Sequence, residues 1–379
     1  MNFELSETQK MIRETARQFA IDELAPTAEE RDAKEEFPHE AIKKLGELGF
    51  MGMMVPEQHG GAGLDTVSYA LAMEEISRVD ASVGVIMSVN NSLVCYGIEA
   101  YGTEEQKQKY LVPLAQGKLL GAFALSEPEA GSDATNQHTL AVRDGDSYIL
   151  NGMKNWITNG YNADVVLVMA ATDPSKGAHG ISTFIVEKGM PGFAPGKKEH
   201  KLGIRSSDTV SLSFQDVRVP VANRIGDEGF GFKFAMKTLD GGRIGIAAQA
   251  LGIAQACLDA SIKYSKERKA FDRPIAELQA IQFKIADMAT EIESARLLTL
   301  QAAMMKDAGQ KFSKYAAMAK LFTSETAVRA ALEAIQIHGG YGYIREYNVE
   351  RYLRDAKITE IYEGTSEIQR VVISRDLLK

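Results

Sequence analysis

Hydrophobic periodicity changes twice along this chain of 379 residues, and no fold of a single class accommodates both changes. From Ser6 to about Gln116 the spacing is helical. Ser6 and Gln9 have capping-box spacing ahead of Met11, Ile12, Ala16 and Phe19, which share one face. Thr103 and Gln106 repeat that signal before "KQKYLVPLAQG", and "FPHEAIKKLGELGF" and "TVSYALAMEEISRVD" read as further helices. The segment "MVPEQHGGAGLD" reads as a loop. From about Gly121 to Asn223 the signal is short runs rich in β-branched and aromatic residues: "GAFAL", "SYILNGMKNWIT", "ADVVLVMAAT", "GISTFIVEK" and "TVSLSFQDVRVP". Strands without intervening helices predict a small barrel or sandwich and argue against a parallel nucleotide fold. From about Glu228 helical spacing returns in longer segments, with Ile281, Ile285, Met288, Ile292 and Ala295 in step. So do Met318, Leu321, Phe322, Val328, Leu332 and Ile335. The expectation is an α+β chain: a helical domain over 1–118, a small β-barrel domain over 119–226 and a four-helix bundle over 227–379.

Charge and composition narrow the function. A net charge of −8 provides no basic field for nucleic acid. Cys95 and Cys257 are too few for a disulfide framework or a cysteine metal site, which fits a reducing compartment. No run approaches the ~18 consecutive apolar residues of a membrane span. The start, "MNFELSETQKMIRETARQFA", lacks the apolar core of an export signal, so a cytoplasmic chain with no membrane role is expected.

Four loops and one tail hold the polar residues that stand out. "ALSEPEAGSDAT" (124–135) follows a strand signal; it reads as a polar loop or as a loop whose hydroxyl and N–H groups bind a ring or a phosphate. "NGMKNWITNG" (151–160) carries the single Trp between two expected Asn-Gly turns, either as a hairpin with Trp156 in the core or with the indole beside a planar cofactor. In "ERKAFDRPIAELQAIQFK" (267–284), Arg268, Lys269 and Arg273 precede a helix expected near Pro274. They make a solvated surface or a pyrophosphate grip. "QIHGGYG" (336–342) ends a helix or lets backbone approach a nucleotide. His338 has no second His at metal spacing. Near the end, "ITEIYEGTSEIQR" places Gly364 among Ile361, Tyr362, Ile368, Val371, Val372 and Ile373. That is too apolar for a disordered tail, and the glycine costs about 1 kcal/mol in a helix.

Taken in order, "SEPEAGSDA", "NWITNG", "ERKAF…LQAIQ", "QIHGGYG" and "RDAKITEIYEGTSEIQR" resemble the acyl-CoA dehydrogenases over the chain from Phe3 to the last helix. "MSVNNSL" and "LDGGRIGIAAQALGIAQ" look most like the short-chain, butyryl-type members. The resemblance implies FAD as cofactor, oxidation of an acyl-CoA to the trans-2-enoyl-CoA and an electron-transferring flavoprotein as acceptor. It also implies a homotetramer built as a dimer of dimers. By the same resemblance Phe123, Leu125, Ser126 and Ser132, with Trp156, Ile157 and Thr158, would surround the flavin ring. Arg268, Phe271 and Gln279 would hold the nucleotide end of a neighbouring subunit's FAD, together with Gln336, Gly339 and Gly340. Thr365 and Glu367 would touch the cofactor from the other side. Ser132, Asp240 and Arg243 would meet the CoA portion, and Tyr362 and Gly364 the acyl slot.

Glu363 would be the base that takes the Cα proton while flavin N5 accepts the hydride. Gly364 would let the chain turn so that the carboxylate points inward. Where some relatives carry the base on a helix in "LDxER", this chain has "LDGGR" with Gly242 at that position. Glu129 stands where many members have Gly. Alternatives in the same fold are an oxygen-using acyl-CoA oxidase or a branched-chain dehydrogenase. A non-catalytic helical scaffold is the alternative outside enzymology.

Overall fold

The computed structural model describes residues 4–379, so Phe3, where the resemblance begins, lies outside the described residues. The first helix, α1 (Glu7–Phe19), starts as its sequence requires. Ser6 Oγ accepts the Gln9 N–H at 3.2 Å while Gln9 Oε1 accepts the Ser6 N–H at 3.0 Å. Then follow α2 (Ala28–Lys34), α3 (His39–Glu47), α4 (Thr66–Val79), α5 (Ala81–Ser88), α6 (Tyr96–Tyr101), α7 (Glu104–Gln106) and α8 (Val112–Ala115). A π-helical turn, Val89–Cys95, joins α5 to α6, and the Thr103–Gln106 capping box opens α7.

One mixed sheet of eight strands forms the middle: β1 (Gly121–Ala124), β2 (Leu140–Asp144), β3 (Ser147–Thr158), β4 (Val165–Ala171), β5 (Ile181–Glu187), β6 (Phe193–Lys198), β7 (Thr209–Pro220) and β8 (Arg224–Ile225). Its order is β6-β7-β3-β2-β4-β5-β8, with β1 parallel to β4. All of β4 is buried because both faces are covered. Val166, Val168 and Ala170 join Tyr148, Leu150, Val217 and Val219 in a core that the sheet makes with itself, as a small barrel does. Val165, Leu167 and Met169 face the helices. Strands β2, β6 and β8 were not expected; β2 and β6 are mostly exposed, so neither carries a burial signal. Asn151-Gly152 is not a turn. It sits inside β3 at a bulge, where a Cβ on Gly152 would lie 2.6 Å from Thr139 Cα.

The last third is helical: α9 (Gly231–Glu267), α10 (Gln279–Asp307), α11 (Ser313–His338), α12 (Val349–Ile358) and α13 (Ser366–Leu377). The helix expected near Pro274 starts at Gln279. Between them runs a ribbon of β9 (Lys269–Ala270) and β10 (Arg273–Pro274), whose turn residues Phe271 and Asp272 both have positive φ. Helix α9 is the common wall: Ile244 and Ala247 pack with Phe19, Tyr69 and Met73 of the first domain, and Ile253 and Cys257 with Ile292 and Ala330 of the bundle. Two helices, Ala81–Tyr101 and Gly231–Glu267, are long and apolar enough to cross a membrane although neither was expected to be. They are 94% and 83% buried inside the protein, as core helices are.

Candidate active site

Helix α12 is capped by Thr359, whose Oγ1 donates to Ala356 O, and the chain must then reverse to enter α13. It reverses through Glu363 (φ +53°) and Gly364 (φ +93°), two successive left-handed residues. For glutamate that conformation costs about 1–3 kcal/mol, so the surroundings must hold it there. They do. Ser366 N–H donates to Glu360 O at 2.9 Å, Thr365 Oγ1 caps α13 by accepting the Ile368 N–H, and Gln369 Nε2 donates to Gly364 O at 2.8 Å. The Tyr362 hydroxyl donates to Gln249 Oε1 on α9.

The turn aims the Glu363 side chain at α9. A Cβ on Gly242 would lie 2.1 Å from Glu363 Oε2 and 2.8 Å from Leu93 Cδ2, so the carboxylate occupies space that only glycine leaves free. Oε2 is buried and has no hydrogen-bond partner, while the residue as a whole keeps partial exposure through an open side. Desolvation raises the carboxyl to about 7, against weaker pulls downward from Lys320 and then Arg243. Among the described residues the Glu363 N–H reaches no acceptor. A proton acceptor near neutrality and a free donor therefore share one residue.

One turn further along α9 the wall is filled by polar side chains. Gly245 follows Gly242 by about 4.5 Å along the helix axis. A Cβ there would meet Tyr69 Oη at 2.5 Å and Ser88 Oγ at 2.6 Å. Tyr69, Ser88 and Ser92 are fully buried and hydrogen-bonded in a chain. Asp240 and Arg243 also meet here. The Arg243 guanidinium donates to Asp240 Oδ1, which also accepts from Ser313 Oγ at 2.8 Å. Arg243 is buried, with its Nε unpartnered.

The loop after β1 is held from inside. Lys154 Nζ donates to Leu125 O, Glu127 Oε1 and Gln137 Oε1, and Glu127 also accepts the His138 and Thr139 N–H groups. Burial lowers the Lys154 ammonium to about 8 although Glu127 opposes the shift. Phe123 and Ser126 are half-buried, Leu125 buried, and Ser132 and Glu129 exposed. Trp156 is not in the core: its indole is 61% exposed, because φ +61° at a break in the β3–β7 register turns it outward. Ile157 is buried and Thr158 half-buried beside it.

A cavity of about 480 Å³ opens elsewhere, lined by Tyr264, Arg268, Ile275, His338, Gly339, Gly340 and Tyr341 among others. A Cβ on Gly339 or Gly340 would meet nothing within 4 Å, and the Arg268 guanidinium lies over the Tyr341 ring at 5.5 Å. His338 is packed, stacked on Tyr264 with Nδ1 on Ala334 O at 2.7 Å. Phe271 (86% exposed), Gln279 and Gln336 are exposed and do not line this cavity; Glu367 is exposed on the first turn of α13. An open cavity under an arginine with exposed aromatic faces fits the nucleotide end of an aromatic cofactor.

Comparison with known proteins decides the family. The models for the N-terminal, middle and C-terminal domains of acyl-CoA dehydrogenase match residues 6–118, 122–217 and 229–378. The chain belongs to the acyl-CoA dehydrogenase family. It is 56% identical over 376 residues to the mitochondrial short-chain specific acyl-CoA dehydrogenase of Bos taurus, covering 99% of this chain and 91% of that one. The solved butyryl-CoA dehydrogenase of Megasphaera elsdenii superposes with a TM-score of 0.99 at 51% identity over both whole chains. A chain in a structure described as the electron transferring flavoprotein of Acidaminococcus fermentans also matches over its whole length, with a TM-score of 0.99 and 56% identity. A further family structure, at 34% identity and a TM-score of 0.96, is described as an FAD complex of PigA. This acyl-CoA dehydrogenase is an FAD-dependent oxidoreductase. Neither Lys320 nor Lys154 was anticipated from sequence: a lysine inside a helical or strand pattern reads as solvated unless its partners are known.

Proposed function

We propose that the chain is a short-chain acyl-CoA dehydrogenase in which Glu363 takes the Cα proton of a saturated thioester. One observation carries this reading: the Glu363 carboxylate is buried against Gly242 without a hydrogen bond, on a turn whose geometry its neighbours enforce. Near pH 7 such a group ionises readily and takes a proton back readily, as a general base must. Its own N–H is free to donate to the thioester oxygen, stabilising charge that develops as the proton leaves. When bound, FAD would supply the acceptor for the Cβ hydride, with an electron-transferring flavoprotein as the onward electron acceptor.

The protein's residues do the remaining work. Phe123, Leu125, Ser126, Trp156, Ile157 and Thr158 would frame the flavin ring, with Ser132 between ring and CoA. The buried Glu127–Lys154 pair holds the first of these segments in shape. Arg268, Gly339 and Gly340 at the cavity, with Phe271, Gln279 and Gln336 exposed outside it, would hold the nucleotide end of a neighbouring subunit's FAD, and Thr365 and Glu367 would touch the cofactor from the other side. Asp240 and Arg243, and Tyr362 with Gly364, would line the thioester's path. The Tyr69 and Ser88 side chains packed against Gly245, one turn beyond Gly242, would stop a long acyl chain there and support a short one. Exposed Phe283, Leu297, Met304 and Leu332 on α10 and α11 support burial in a homotetramer. Two free buried thiols support a cytoplasmic, reducing location, and the domains divide at about 118 and 226.

Anaerobic bleaching of the flavin by a series of acyl-CoAs tests the reading. Fastest reduction by butyryl-CoA, falling at least about 10-fold by the eight-carbon thioester, is expected. Equal rates along the series would refute the short slot, and stoichiometric peroxide in air would assign the chain to the oxidases.

A further inference from the structure

Two cations approach the Glu363 carboxylate, and they are differently committed. Arg243 spends its charge on Asp240, to which it donates directly. Lys320, on the buried face of α11, makes no ion pair within 4.0 Å among the described residues. It is fully buried, and the hydrogen bond of its ammonium goes to the neutral carbonyl of Gly364, one residue past Glu363. Gln369, also fully buried, donates to that carbonyl and to Glu363 O at 3.2 Å. Two buried donors from two helices thus converge on the two carbonyls of the left-handed turn, and one of them carries a full charge.

Resting on Glu363 as the base, we propose that Lys320 is a positioning residue for the reaction. Through Gly364 O it fixes the turn that aims the Glu363 carboxylate and N–H, and its ammonium is the uncommitted cation beside which that carboxylate ionises. A neutral donor would suffice to hold a carbonyl, and burying an ammonium there costs stability unless its charge is used. The cost is visible in the ammonium itself. Burial lowers it to about 8, while Glu363, Glu360 and Glu367 raise it and Arg243 lowers it further. On the other side, the charged groups facing the Glu363 carboxyl are Lys320 from α11 and Arg243 from α9, with the neutral phenols of Tyr69 and Tyr362 nearby.

The test compares Lys320→Met, which removes donor and charge, with Lys320→Gln, which keeps a donor for Gly364 O. The readout is the infrared band of the protonated Glu363 carboxyl in the substrate-free holoenzyme, assigned by its loss in Glu363→Gln and followed with pH. In both Lys320 variants the titration midpoint should move up by about one pH unit or more. Flavin reduction by butyryl-CoA at pH 7 should slow about 10-fold, with the affinity for 2-enoyl-CoA changed far less. Lys320→Gln should recover thermal stability relative to Lys320→Met without recovering the midpoint. Should Lys320→Met fail to fold, Lys320→Gln alone decides. An unmoved midpoint would overturn the proposal and leave Lys320 a structural clamp. Normal bleaching in Glu363→Gln would instead overturn the base assignment, which the infrared shift does not depend on.

Discussion

Eight residues apart, Asp355 and Glu363 are two buried carboxyl groups, both raised to about 7 and both chiefly by desolvation. Their surroundings separate them. Asp355 accepts the Ile204 N–H at 2.5 Å and faces Arg351, which in turn donates to Val79 O. Around it Arg354 pairs with Asp32 and Glu350, and Arg31 with Asp80. That cluster joins α12 to the N-terminal helices and to the loop before β7, and every oxygen with a named role has a partner. Glu363 Oε2 has none. A raised pKa therefore finds buried acids; the missing hydrogen bond distinguishes the acid kept for chemistry from the acid kept for structure.

Substitutions can break that contrast, and the largest effect should come from the glycine that makes room for the base. In Gly242→Val the new side chain competes with the Glu363 carboxylate for the same space. Anaerobic flavin reduction should fall about 10²–10³-fold, the share of a displaced general base, while FAD stays bound. A rate within twofold of wild type would show that the carboxylate does not work from this position.

At the other acid the outcome inverts. Asp355→Ala leaves the Ile204 N–H without its acceptor and the buried Arg351 without its facing carboxylate, and should cost about 2–4 kcal/mol, read as a lower urea midpoint. The reduction rate of the folded fraction should stay within about threefold. A loss in rate greater than the loss in stability would erase the distinction drawn here.

Smaller still, taken per pH unit, is the pH dependence of stability. Both acids bind protons more tightly folded than unfolded, so each contributes stability below its unfolded value that is lost as pH rises toward about 7. The window runs from 4.5 upward for Glu363 and from 3.8 for Asp355, at no more than about 1.4 kcal/mol per pH unit for each group. Glu363→Gln and Asp355→Asn should each flatten that slope, whereas only Glu363→Gln should abolish the rise of flavin reduction through pH 7.

The two acids were not equally legible in sequence. Gly364 amid apolar residues marks an ordered turn, and the capping signals at Ser6 and Thr103 fixed two helix starts where they occur. Glu363 itself carries no local signal, and it was singled out only through the joint order of five motifs. Asp355, Lys320 and Lys154 were invisible because their partners are far away in sequence: Ile204, Gly364 and Glu127. Charged residues in amphipathic segments read as solvated until tertiary contacts bury them. Exposure misled in the other direction. Trp156 was as readable as a core residue as a ligand face, and only its positive φ turns it outward. The helix start misplaced to Pro274 reflects a two-residue ribbon too short to leave a period.

The central claim, that the carboxylate left without a hydrogen bond at the α12–α13 turn takes the substrate's Cα proton, meets its most direct test in one anaerobic stopped-flow comparison. Wild type and Glu363→Gln holoenzymes are each mixed with butyryl-CoA at pH 8, and flavin absorbance is followed through a single turnover. Bleaching in the wild type, with the variant binding the thioester but bleaching at least about 10³-fold more slowly, is the predicted result. Bleaching of the variant at the wild-type rate would contradict it.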